Sequence, residues 1–294
     1  MTMIGELSAI ILPIFLCAGI GLMWSKIGPP FDSDLISTLV YKISVPCLII
    51  AIFAKVTLTR EAVAAVAGAA LVIYLLTALV AVFLLKVARL QLPTYLPSLI
   101  FPMVGSIGLP VCLFAFGEAG LALALVFFTL GAIGTFTIGA SIAAGTISYV
   151  KLIREPAVWA ALISVTLLWI DLDLPKWIVD TTGLLGGMAI PLQLIALGSS
   201  LAQFRITSLP RGISLSLLRL GLGYGAGFLI AEILALEGLV RAVVILQSAM
   251  PVAVSNYLFA SVYKREPTEI AGMVLISTGI SFVTLPLLLI YLLH

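Results

Sequence analysis

Histidine is nearly missing from this chain. The single one is His294, the last residue, so metal ligation or acid–base chemistry through imidazole has no groups to use inside it. Charge is scarce as well, at 10% of 294 residues. No basic cluster suggests nucleic acid, and a formal net charge of +2 selects no partner. Cysteine is limited to Cys17, Cys47 and Cys112, each inside an apolar run. An odd count at such positions argues against a disulfide framework and reads as small buried side chains. Carboxylates are missing from the depth of every apolar run; Glu118 and Glu232 stand at ends. That removes the deep Asp or Glu relay common in proton-driven carriers. It also removes the paired acids of an intramembrane enzyme, and no His-Glu-x-x-His motif or activating histidine replaces them. No catalytic residue, metal site or cofactor is expected. The first residues lack the basic region and cleavage site of a signal peptide, so the first apolar run is expected to be kept as a span.

What is present is apolar sequence, 62% of the chain, the composition of a polytopic membrane protein. Ten runs of roughly 20 residues are expected to span the bilayer. They are Ile4–Trp24, Leu35–Ala54, Ala62–Leu85, Tyr95–Phe116, Ala119–Thr146, Pro156–Ile170, Trp177–Phe204, Ile213–Ile233, Leu239–Val262 and Ile270–Leu293. The sixth is short for a full crossing. Trp24, Trp169 and Trp177 fall at span ends, as in an aromatic belt. With ten spans, Lys26, Lys86, Arg89, Lys151, Arg154, Arg205, Arg211, Lys264 and Arg265 share one side, and Lys55, Arg60, Lys176 and Arg241 the other. The excess marks the first side as cytoplasmic and leaves both termini outside.

Prolines interrupt this pattern. Tyr95–Phe116 carries Pro97, Pro102 and Pro110, with Gly105 and Gly108 between the last two. Pro110 lacks a backbone donor and its ring clashes with the preceding turn, so a helix break is expected at Gly105–Pro110. Freed carbonyls are tolerated only where protein or a watery cavity satisfies them, which makes a break a site hypothesis. A second such stretch is Met250–Asn256, around Pro251. Pro46 and Pro191, in the second and seventh spans, are separated by about half the chain, as are Pro110 and Pro251. Five spans per half is odd, so the halves must be inverted. The expected fold is an all-α polytopic membrane protein, with ten transmembrane helices in two inverted five-helix repeats, residues 1–146 and 147–294, and broken crossing helices four and nine.

Around those breaks, Gly105, Ser106, Ser255 and Asn256 can meet a substrate or hold helices together. Gln193, two residues after Pro191, can line a cavity or be a buried structural amide. Lys42 lies about 10 Å into its span, and Arg219 is similarly deep; each is either functional or snorkels to the cytoplasmic interface. Gly221–Gly227 holds two interleaved Gly-x-x-x-Gly spacings, which read as close helix packing and not as a nucleotide loop.

Ser44-Val45-Pro46-Cys47-Leu48, the run Ile190–Leu201, Gly108-Leu109-Pro110, Ala249–Ala253 and Thr284-Leu285-Pro286 together resemble the auxin efflux carrier family, whose bacterial members look like plant PIN-type carriers without the long central loop. The resemblance covers essentially the whole chain. It implies a fold related to the bile acid sodium symporters. Spans one, two, six and seven would form a scaffold, and spans three to five and eight to ten a moving transport domain. It also implies a secondary transporter of small organic anions in a bacterial inner membrane, working by elevator-type alternating access. The substrate-binding residues expected are Lys42, Gly105, Ser106, Pro110, Gln193, Arg219, Pro251, Ser255 and Asn256; the helix breaks expected are Pro46, Gly108, Pro110, Pro191 and Pro251. Partners are the anion, the bilayer and a second copy joined through the scaffold helices. The coupling ion stays open between proton, sodium and none, with a sodium-coupled bile-acid-like symporter as the alternative. The chain departs from the family pattern at Met103-Val104-Gly105, where members commonly carry Asn. It departs again in the third span, where the acidic partner of the second-span Lys in some plant members has no counterpart.

The charge bias is open to direct test. Cysteine labelling is expected to place the joint at Lys151–Glu155 in the cytoplasm and His294 outside. Both on one side would remove the ten-span arrangement and the inverted repeat.

Overall fold

The computed structural model describes residues 3–28, 32–56, 58–145, 156–170, 174–204 and 208–293. The joint at Lys151–Glu155, Arg205 and His294 lie outside them. The described chain is helical almost throughout. Apart from one isolated antiparallel bridge, Pro102 with Val252, no strand pairing occurs among these residues.

Among the described residues, seven helices are long and apolar enough to cross a membrane. The difference from the expected ten has physical sources. Helix 156–170 has 15 residues, about 22 Å of rise against a hydrocarbon core of about 30 Å. The ninth run is split into Gly238–Ser248 and Val254–Val262, each too short alone. The helical run through Leu109–Gly134 contains the expected joint between spans four and five. It is interrupted at Gly117, whose φ of 68° and ψ of −162° only glycine adopts cheaply.

Local sequence explains the helix ends. Arg60–Val87 starts at Thr59, whose side-chain oxygen accepts from the Ala62 amide at 3.2 Å. Glu61 in its first turn and Lys86 in its last complement the helix dipole. Pro46 and Pro110 do not break their helices. Each is the second residue of an α-helix entered directly from a five-residue π turn, Val40–Ser44 before Val45-Pro46 and Val104–Gly108 before Leu109-Pro110. The wider turn absorbs the missing donor and the ring without stopping the helix. Gly108 is the last residue of its π turn and likewise no break. The seventh run does break, at Gly187–Met188. Pro191 then sits in the first turn of Ala189–Gln203, where an N–H has no intrahelical partner to lose.

The helices pack in two groups. Met3–Ile27 lies along Ala189–Gln203, and Val45–Lys55 packs on both Pro156–Ile170 and Lys176–Gly186. In the second group Arg60–Val87 meets Leu92–Ile100, Leu109–Gly134, Leu209–Ile233 and Gly238–Ser248, and Pro267–Leu293 covers Leu209–Ile233 and Val254–Val262. Glycines set the closest approaches. A Cβ on Gly21 would fall 1.9 Å from the Ile195 carbonyl oxygen, and one on Gly198 would fall 1.8 Å from that of Ala18.

The two interleaved glycine spacings on Leu209–Ile233 separate. Gly223 and Gly227 press on Ser248, where Cβ atoms would stand 2.2 Å from its carbonyl oxygen and 2.0 Å from its hydroxyl. Gly221 and Gly225 face open space. Gly223→Ala and Gly227→Ala are therefore expected to destabilise by about 1–3 kcal/mol, the usual cost of overpacking. Gly221→Ala and Gly225→Ala are expected to be neutral or to stabilise by up to about 1 kcal/mol through helix propensity. Melting curves of the four variants check this; equal behaviour across the two pairs contradicts the packing assignment.

Candidate functional site

Two interrupted helices cross at the centre of the second group. The first runs Leu92–Ile100, opens at Phe101-Pro102-Met103 and resumes with the π turn Val104–Gly108. The break thus lies at Pro102, eight residues before Pro110. The second runs Gly238–Ser248, opens through Ala249–Ala253 around Pro251 and resumes at Val254–Val262.

The open segments satisfy one another's backbone. The Met103 amide donates to the Pro251 carbonyl at 2.7 Å, and the Val252 amide donates to the Ser277 hydroxyl at 3.1 Å. The Asn256 side-chain amide donates to the Phe101 carbonyl at 3.2 Å. Arg219, 2% exposed, reaches in from Leu209–Ile233. Its Nη1 donates to the Leu99 carbonyl at 2.9 Å; its Nη2 donates to Ser248 at 2.9 Å and to Met250 at 3.4 Å. Arg219 therefore does not snorkel. It caps the C-terminal ends of both first half-helices, where the last carbonyls lack partners.

The N-terminal ends of the second halves border a cleft of about 340 Å³. Ser106, Val254 and Ser255 line it from the crossing, and Lys42 and Gln193 line it from the other helix group. A smaller space of about 50 Å³ continues from it past Gly105 toward Pro102 and Met103. Gln193 is buried and neither its Nε2 nor its Oε1 has a hydrogen-bond partner. A Cβ on Gly105 would stand 3.1 Å from the Gln193 oxygen and 2.9 Å from the Phe128 ring, so glycine there lets the amide approach the helix start. Among the described residues no acidic side chain lines the cleft. Lys42 is exposed at its mouth.

Of the expected residues, Lys42, Gly105, Ser106, Gln193 and Ser255 come together around this connected space. Pro110, Pro251, Asn256 and Arg219 do not line it; the last three belong to the crossing itself. The lining also includes residues not singled out from the sequence, among them Ser37, Thr38, Tyr41, Phe136 and Ser200. The pair Ser37-Thr38 inside an apolar run was a usable signal. Tyr41 and Phe136 were not, because aromatic residues in apolar runs are common. All three π turns, Val40–Ser44, Val104–Gly108 and Thr135–Gly139, place residues on the cleft wall, in keeping with the frequent use of such turns at functional sites.

Residues 7–289 match the family model described as "Membrane transport protein". The chain is 27% identical over 195 residues to an uncharacterized transporter of Methanocaldococcus jannaschii, covering 62% of this chain and 63% of that one. It is 32% identical over 192 residues to an uncharacterized transporter of Methanothermobacter thermautotrophicus, covering 62% of each. The matches thus span under two thirds of these relatives' own lengths.

Asn256→Ala would leave the buried Phe101 carbonyl without its partner. It is expected to cost about 1–3 kcal/mol, whereas Ser255→Ala, on the cleft wall, is expected to stay within about 0.5 kcal/mol of the parent. Paired melting curves measure both. Parent-like melting of Asn256→Ala would show that this amide does not hold the crossing.

Proposed function

The chain belongs to the membrane transport protein family, over nearly its whole length, and on that footing we propose that it is a secondary transporter of small organic anions, chiefly carboxylates. The observation that carries the reading is the chemistry of the cleft. Two helix starts present free amides and partial positive charge to it. Lys42 supplies a full positive charge, Gln193 offers an amide donor with no other use, and among the described residues no carboxylate opposes them. Its volume of about 340 Å³ is at the small end of ligand sites.

The packing supports an elevator arrangement. Spans one, two, six and seven form one group and spans three to five with eight to ten the other, each set related to its counterpart by inverted five-helix repeats of residues 1–146 and 147–294. Cleft residues come from both groups, so sliding one against the other would carry the bound anion between the two faces of the membrane. Placement in a bacterial inner membrane with both termini outside, and a homodimer through the scaffold helices, complete the proposal.

The test begins with a thermal-shift screen of purified protein against mono- and dicarboxylates, indoles and bile acids, since ligands that bind the folded state raise its melting point by mass action. The best ligand then serves in proteoliposome uptake. Lys42→Gln and Gln193→Ala are expected to weaken binding about tenfold or more, the scale of a hydrogen bond to a charged group, with melting points near the parent. Unaltered affinity in both would move the site away from this cleft, and saturation by organic cations instead of anions would end the anion reading.

A further inference from the structure

The carbonyl-rich side of the crossing has the make-up of a cation site. Three backbone oxygens, from Leu99, Ser248 and Met250, border one buried place, where each accepts from a terminal nitrogen of a single guanidinium. Two of them close half-helices, and each helix end carries a partial charge of about −0.5. Two such ends together present about one unit of negative charge to a single point. All-oxygen, carbonyl-based coordination is what hard cations take.

That point is filled by the guanidinium of Arg219. Among the described residues no carboxylate pairs with it, whereas Arg211 and Arg241 pair with Glu269 and Glu232. Its Nε has no partner, so the group is held through its terminal nitrogens by carbonyl oxygens alone. A buried charge without a counter-ion is costly, and here the only compensating charge is that of the two helix ends. The glycine at 223, one turn along the same helix face, brings the backbone close enough for the side chain to reach both ends.

We propose that the junction of the Leu99, Ser248 and Met250 carbonyls is a monovalent-cation site whose permanent occupant is the Arg219 guanidinium, and, resting on the anion-carrier reading above, that the carrier cycles without an alkali cation bound there. An arginine cannot dissociate with the substrate. The crossing is therefore charge-compensated at every stage, and a sodium ion has no vacant carbonyl cluster at this place to occupy.

The experiment compares melting points of the purified parent, Arg219→Ala and Arg219→Lys in guanidinium, sodium and choline chlorides at equal millimolar concentration, far below denaturing levels. Arg219→Ala is expected to melt lower than the parent and to be raised saturably by guanidinium, and more weakly by sodium, with no response to choline. The parent is expected to treat all three alike. Arg219→Lys, which keeps the charge but not the fork of donors, is expected to fall between the two. An Arg219→Ala protein that melts like the parent, or that answers all three salts equally, overturns the cation site. A parent raised by sodium over choline overturns its independence of alkali cations. If Arg219→Ala does not fold, Arg219→Lys is set against Arg219→Met: better survival of the lysine variant supports the site, and equal loss of both overturns it. None of these readouts involves an anionic substrate. Failure here leaves the anion-carrier reading standing, and failure of the carboxylate screen leaves the cation site standing.

Discussion

Breaking two helices inside an apolar surrounding frees backbone groups that each cost several kcal/mol if left unpaired. The rest of this structure is arranged around meeting that requirement. The Met103 amide and Pro251 carbonyl take each other, Asn256 takes the Phe101 carbonyl, and Ser277 takes the Val252 amide. The C-terminal carbonyls remain, and Arg219 takes them from both helices at once. It can do so only because its own helix lies unusually close. Arg219, Gly223 and Gly227 are spaced by four, on one helix face. The two glycines allow that face to touch Ser248, the residue whose carbonyl Arg219 binds. The glycine seam and the buried arginine are one device.

That device gives the crossing a direction. Its carbonyl ends are closed by a positive group, whereas its amide ends, at Val104 and Val254, open beside the cleft. On the proposed reading an anion entering the cleft meets the donors of the two helix starts and the charge of Lys42. Gln193 faces these donors from Ala189–Gln203, a helix of the other packed group. Its partnerless amide is the kind of buried polar group that invites an explanation in ligand binding.

Much of this was legible in the residues and some was not, for reasons that can be named. The break at Pro251 was visible, because no second proline competes for it in that stretch. The break in the first crossing helix was placed at Pro110 and lies at Pro102. Both prolines were able to interrupt the helix. Which one did was decided by a partner about 150 residues away, through the pairing of Pro102 with Val252, and no local pattern carries that information. Lys42 and Arg219 looked alike in sequence, as single cations at similar depth. Tertiary packing separated them: one opens on a cleft, the other on carbonyl ends. The interleaved glycines were correctly read as packing, but which of the two sets packs depends on where the neighbouring helix lies.

The π turns explain why the cleft sits where it does. Each shifts hydrogen bonding from the fourth to the fifth residue back, which widens the turn. In two of them a proline, Pro46 or Pro110, stands two residues after the turn and withholds one more donor from the carbonyls behind it. Three such segments converge on one space, and they come from both packed groups: Val40–Ser44 from one, Val104–Gly108 and Thr135–Gly139 from the other. On the proposed reading the crossing behind it, whose Met103 amide, Phe101 carbonyl and Arg219 terminal nitrogens find partners within one group, travels as a unit.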